Sequence, residues 1–132
     1  MARDELLKSE GNDMFKNANF DGAIAKYTEA IECLKDPNGK VAVSCYNNRA
    51  ACYQQQSNYS GVIEDASRVL EIEPNNEKAL LRRGLAFEGM ERFKLALQDM
   101  KACLALNMSN AVANKAQHRI QSALRREAQF KD

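Results

Sequence analysis

Five side chains in three separate stretches share one chemistry. Each donates hydrogen bonds, and three carry a positive charge: Lys8 and Asn12 in KSEGNDMF, Asn48 in YNNRAACY, and Lys78 and Arg82 in EKALLRRGLAFE. Ammonium and guanidinium groups have donors and no acceptors, and Asn contributes an amide donor. Such a set suits carboxylates, which Arg can grip through two parallel hydrogen bonds. Lys8 and Asn12 stand four apart, as do Lys78 and Arg82, so each pair projects from one face of a helix. Gly11-Asn12 is costly in mid-helix, since both residues weaken one. Something other than local propensity must account for it.

The elements that position these residues are helices. Apolar residues recur at helical spacing, with Leu7, Gly11, Met14 and Phe15 on one face and Ala23, Ile24, Tyr27, Ala30 and Ile31 on the next. Strand-like alternation is absent, which makes the fold class all-α. The segments repeat. Gly11 is followed at offsets of 12, 16 and 19 by Ala23, Tyr27 and Ala30; Ala50 by Val62, Ala66 and Val69; Gly84 by Ala96, Met100 and Cys103. Ala50 and Gly84 are 34 residues apart, the period of a helix–turn–helix repeat array, and Gly11 and Ala50 are 39 apart, the five extra residues falling around KDPNGK.

The pattern predicts a single domain over 1–132, a right-handed α-solenoid of three helix pairs plus a capping helix, seven helices in all. Repeat one spans about 4–37, repeat two about 43–76, repeat three about 77–110, and the capping helix about 110–130. Turns within the pairs fall at NANFDG, QSNYSG and MERFKL, and Asn76 and Ser109 are the expected helix N-caps after the breaks between pairs. The terminal RREAQFKD has no stop signal, as expected of one domain of a longer protein. In such a stack the first helix of each pair lines the concave wall, and residues just before each small anchor converge across a groove. Gly11 then admits the second helix of its pair, and Asn12 faces a ligand.

Other functions find little support. Lys plus Arg number 19 against 18 for Asp plus Glu, so no global field attracts nucleic acid or anionic lipid, and Arg125-Arg126 is too short for a nucleic-acid patch. No apolar run reaches the roughly 18 residues of a membrane span, and MARDELLKSE is too acidic for a signal peptide. Cys33, Cys45, Cys52 and Cys103 form no CxxC pair and have no histidines at metal spacing, so they are read as reduced thiols. His118, the only histidine, has no triad partner in view, and Glu71, Glu73 and Glu77 are read as solubilising charges. Arg83 is expected at the surface, Arg49 as a hydrogen bonder between repeats, and Met90, Met100 and Met108 as core filler.

Taken together, the three polar signatures resemble the tetratricopeptide repeat family, and within it the carboxylate-clamp domains of co-chaperones. The resemblance covers essentially all 132 residues. It implies an adaptor module, not an enzyme, that binds the C-terminal Glu-Glu-Val-Asp tail of heat-shock protein 70 and/or heat-shock protein 90. By that resemblance Lys8, Asn12, Asn48, Lys78 and Arg82 hold both carboxylates of the last aspartate, and Phe15 and Ala51 shape the wall beside the valine. Gln55, within Gln54-Gln55-Gln56, belongs to the same secondary groove; family members commonly carry a lysine in this segment, and its absence weakens contacts to the upstream glutamates. The expectation extends to a cytoplasmic, monomeric domain with no cofactor, no metal, no nucleic acid and no membrane insertion. Two other readings of the same repeats are a general protein–protein scaffold that binds another partner without the clamp, and a targeting domain of a larger multidomain protein.

Overall fold

The computed structural model describes residues 1–130; Lys131 and Asp132, the end of RREAQFKD, lie outside it. Seven helices follow one another: α1 (Arg3–Lys16), α2 (Phe20–Glu32), α3 (Lys40–Gln55), α4 (Tyr59–Ile72), α5 (Glu77–Gly89), α6 (Phe93–Leu106) and α7 (Ala111–Gln129). Asparagine side chains start four of them. Asn19, Asn58, Asn76 and Asn110 accept from the backbone N–H three residues on, at 3.0, 3.1, 3.0 and 2.9 Å. The cap of α7 is therefore Asn110, not the expected Ser109. The Ser109 N–H instead donates to the Asn107 side chain at 3.1 Å, which holds Ser109 in the turn before the helix.

Within each pair the chain reverses through one residue in the left-handed region, at Ala18, Ser57 and Glu91 with φ of 60°, 55° and 59°. The aromatic residues Phe20, Tyr59 and Phe93 then open the second helix of the pair. Phe20 packs edge-on against Phe15 at 5.3 Å, so the first turn also fixes a side chain of α1.

All nine residues at the repeated offsets are buried, and so are the anchors Gly11, Ala50 and Gly84. Anchor size follows the partner sixteen residues on. A Cβ at Gly11 would lie 2.7 Å from Tyr27 Cε1, so the rigid ring requires glycine, and one at Gly84 would lie 2.7 Å from the Met100 methyl, which would have to swing aside. Where the anchor is Ala50, the residue at that offset is Ala66.

Each helix packs on its successor, and the first helices of successive pairs also touch: α1 on α3, α3 on α5, α5 on α7. Among the described residues, α2, α4 and α6 make no such contacts with one another. One edge of the stack is drawn together and the other splayed, which bends it into a right-handed α-solenoid with α1, α3, α5 and α7 on the inner wall.

A polar ladder links the pairs. Arg49 on α3 donates to both Asp65 oxygens on α4 at 2.7 Å and to Thr28 Oγ1 on α2 at 3.0 Å. Arg83 on α5 repeats this with Asp99 at 2.9 and 2.8 Å and Ser67 at 3.2 Å. Arg49 thus bridges repeats as expected. Arg83, expected at the surface, does the same, because its guanidinium finds a buried carboxylate one helix away. In the first pair the same offset carries the reversed pair Glu10–Lys26, at 3.0 Å and partly exposed. Hydrogen bonds to Asp65 raise Arg49 against opposing burial, whereas burial pushes the Asp65 carboxyl up against the guanidinium's pull. The desolvated carboxylate therefore depends on its partner.

Other polar residues join repeats. Arg68 donates to the Pro37 carbonyl at 3.1 Å and to Asn38 Oδ1 at 3.0 Å, which pins the five-residue insertion against α4. Glu77, expected to be merely solubilising, accepts from Asn107 at 3.1 Å and Asn110 at 2.7 Å and so ties α5 to the start of α7. Of the three methionines expected in the core, Met100 is fully buried, but Met90 and Met108 are 37% and 83% exposed because they sit in turns and not on packed faces. All four thiols are free, with Cys45, Cys52 and Cys103 buried.

Breaking a buried ion pair by removing one partner costs about 3–5 kcal/mol. Arg49→Met and Arg83→Met should each lower the unfolding free energy on that order, whereas Glu10→Gln at the exposed pair should leave it nearly unchanged. Chemical denaturation of the three variants checks this; equal effects at all three sites would contradict it.

Candidate functional site

The inner wall holds a groove of about 340 Å³ lined by Asn12, Phe15, Lys16 and Tyr27 of the first pair, Asn48 and Ala51 of α3, and Arg82 of α5. No carboxylate is among these residues. Three of the five sequence-predicted donors, Asn12, Asn48 and Arg82, meet in it, as do Phe15 and Ala51. Lys8 and Lys78 do not line it. Each sits one turn earlier on its helix, Lys8 half-buried and Lys78 exposed. Gln55 is exposed at the end of α3 and also lies outside the lining.

Asn12 is the hub. Its Oδ1 accepts from the Tyr27 hydroxyl at 2.6 Å and from Asn48 Nδ2 at 3.1 Å. With the oxygen occupied twice, the NH2 of Asn12 makes no hydrogen bond to another described residue. Gly11 makes the Tyr27 bond possible, because the ring that carries the hydroxyl occupies the space a Cβ would need. Gly11-Asn12 thus forms one device, a gap and the amide it positions, which offsets the loss in helix propensity.

Arg82 has the opposite character. Its Nη1 is buried and lacks a hydrogen-bond partner among the described residues. Burial lowers the guanidinium from its ordinary value, and no carboxylate opposes that pull. Neighbouring Arg83 shows what the same side chain does when a carboxylate is within reach. A buried donor left open costs about 1–3 kcal/mol, more when charged, so the fold carries Arg82 at a cost.

Cations flank α3 on both sides. Burial pushes the Cys45 thiol up to about 11, with the Lys8 ammonium pulling it back, and burial pushes Cys52 up to about 11, with Arg82 pulling it back. Cys45, Asn48 and Cys52 form one stripe of α3. Lys8 on α1 and Arg82 on α5 therefore act on the same face from opposite neighbours.

Two lining residues, Lys16 and Tyr27, are not among those the sequence singles out as site residues. Lys16 extends the four-residue series Lys8, Asn12, Lys16 along one face of α1, a signal the spacing did carry. Tyr27 is identifiable as a packing residue, but where its hydroxyl ends depends on how α2 sits on α1.

A solenoid of helix pairs with a donor-lined hollow defines a helical repeat scaffold. The family model for the tetratricopeptide repeat matches residues 43–76, and the chain belongs to the tetratricopeptide repeat family. It is 40% identical to sperm-associated antigen 1A of Danio rerio over 121 residues, 89% of this chain and 28% of that protein, so it corresponds to under a third of that relative's length. Among solved structures, the Arabidopsis OM64 TPR domain is 31% identical with a TM-score of 0.79, over 90% of this chain and 94% of that one. The first TPR of Spaghetti (RPAP3), bound to HSP90 peptide SRMEEVD, is 27% identical with a TM-score of 0.84, over 92% and 93%. The second TPR domain of human RPAP3, in complex with HSP70 peptide SGPTIEEVD, is 27% identical with a TM-score of 0.78, over 87% and 92%.

Two outcomes test the site without a ligand. Tyr27→Phe keeps the ring and removes the hydroxyl; it should cost about 1 kcal/mol in stability and speed exchange of the Asn12 side-chain amide protons seen by NMR. Unchanged exchange would mean that the hydroxyl does not hold Asn12. The thiols give a pH dependence. Cys45 and Cys52 ionise in the unfolded chain from their ordinary value of 9.0 but near 11 when folded, so the unfolded state binds fewer protons in that window. Their contribution is whole below pH 9 and is lost as pH rises towards 11. Denaturation midpoints across that range should fall, and fall less in Cys45→Ala/Cys52→Ala.

Proposed function

We propose that this domain is a co-chaperone adaptor whose groove captures a free acidic chain end, the C-terminal Glu-Glu-Val-Asp tail of heat-shock protein 70 and heat-shock protein 90. The observation that carries the reading is that Arg82, whose buried Nη1 has no partner among the described residues, lines the same groove as the Asn12 and Asn48 amides. A chain-terminal aspartate brings two carboxylates on adjacent carbons, enough to engage a guanidinium and the amides together. Lys8 and Lys78, one turn from Asn12 and Arg82, reach in with long flexible stems and complete a two-carboxylate clamp. Phe15 and Ala51 offer apolar wall to the valine. Tails of this kind in two of the similar solved structures support the choice of ligand.

Hydrogen bonds to charged groups contribute about 1.5–3 kcal/mol each. Several of them, less the cost of ordering a flexible tail, correspond to roughly micromolar affinity. That suits reversible recruitment.

The test is calorimetric titration with a peptide ending Met-Glu-Glu-Val-Asp, as free acid and as C-terminal amide. Amidation should weaken binding at least about tenfold, and added salt should weaken the free acid. Arg82→Met should abolish measurable binding while leaving the thermal midpoint unchanged or raised, because it removes a buried cation that no folded-state partner compensates. Equal affinity for both peptides would rule out the clamp and favour a scaffold with another partner. The same titration with Ile-Glu-Glu-Val-Asp measures chaperone preference.

A further inference from the structure

Lys16 lines the groove, yet none of the ion pairs among the described residues includes it, and it lies on the α1 face that carries Lys8 and Asn12. Its counterpart in the second repeat is Gln55, 39 positions on as Ala50 is from Gly11, and that residue is neutral and outside the lining. One wall of the groove therefore carries a cation that the next does not. We infer, resting on the clamp reading above, that Lys16 selects an acidic side chain two residues before the end of the captured tail.

The register follows from two repeat lengths. A helix rises about 1.5 Å per residue, so Lys16 lies about 6 Å beyond Asn12 along α1. An extended peptide advances about 3.3 Å per residue, so that distance spans about two residues of ligand. With the terminal carboxylates held at Asn12, Asn48 and Arg82, the tail leaves past Phe15 and Lys16, the remaining α1 residues of the lining. The side chain that meets the Lys16 ammonium is that of the second residue before the terminus, the glutamate preceding valine. Phe15 between the two donors suits the intervening apolar residue. The domain would thus read acid, apolar, acid with free carboxylate, and not a terminal aspartate alone.

A double-mutant cycle tests this. The domain and its Lys16→Gln variant are each titrated with Met-Glu-Glu-Val-Asp, Met-Glu-Gln-Val-Asp and Met-Gln-Glu-Val-Asp, all as free acids. Lys16→Gln should weaken the first peptide by about two- to fivefold, the range of a solvent-exposed ion pair. It should leave the second unchanged and weaken the third as it does the first. Lys16 is exposed, and a circular dichroism melt confirms that the variant is folded. Equal loss with all three peptides, or no loss with any, overturns the inference while leaving the clamp intact. A parent domain that binds none of the free acids overturns both.

Discussion

The close approach of the first helices of successive pairs governs this molecule. α1, α3, α5 and α7 touch in sequence, whereas α2, α4 and α6 do not touch one another. That asymmetry gives the stack its hollow, and it brings Asn12, Asn48 and Arg82, spread over 70 positions of the chain, into one groove. It depends on residues without large side chains at Gly11, Ala50 and Gly84, where each second helix must lie against its first. A bulkier anchor would push the pair apart and tilt the next helix of the wall.

Polar contacts then lock the angle that apolar contacts permit. Hydrophobic burial has little directionality. Arg49 and Arg83 each hold a carboxylate on the same pair and a hydroxyl on the preceding pair, so they fix both the pairing and the stacking. The first repeat uses a reversed and more exposed version in Glu10–Lys26, in keeping with its place at the end of the stack. At the other end the anchor position falls on His118, 34 residues after Gly84, where a side chain stands in place of a gap. That position on α7 lacks the small residue that admits a second helix in each of the three pairs.

The groove shows the same arginine chemistry resolved in two ways one residue apart. Arg83 is satisfied by Asp99, and Arg82 is left with a buried open donor. Folding alone would favour pairing both. Retaining an uncompensated guanidinium is a stability cost, and a conflict of this kind is what functional sites show. The paired asparagines lie beside it, with Asn12 held in place by Tyr27 and Asn48 within the fold itself.

Local pattern determined much of this. Periods of 3.6 and 34 residues specify helices and their repetition, and small anchors at fixed offsets identify the packed faces, because the geometry of one helix pair depends on residues close in sequence. The types of the donor residues were legible for the same reason, and so was the role of Arg49. The tertiary structure decided which donors share the groove, since Lys8 and Lys78 stop a turn short of it while Lys16 and Tyr27 enter it. It decided that Arg83 is paired and Arg82 is not, although both are adjacent arginines on α5. It also made Asn110 the cap and Glu77 a tie between repeats. A side chain's partner across a helix interface depends on the angle between helices. That angle is the summed result of many contacts, and no short stretch of sequence encodes it.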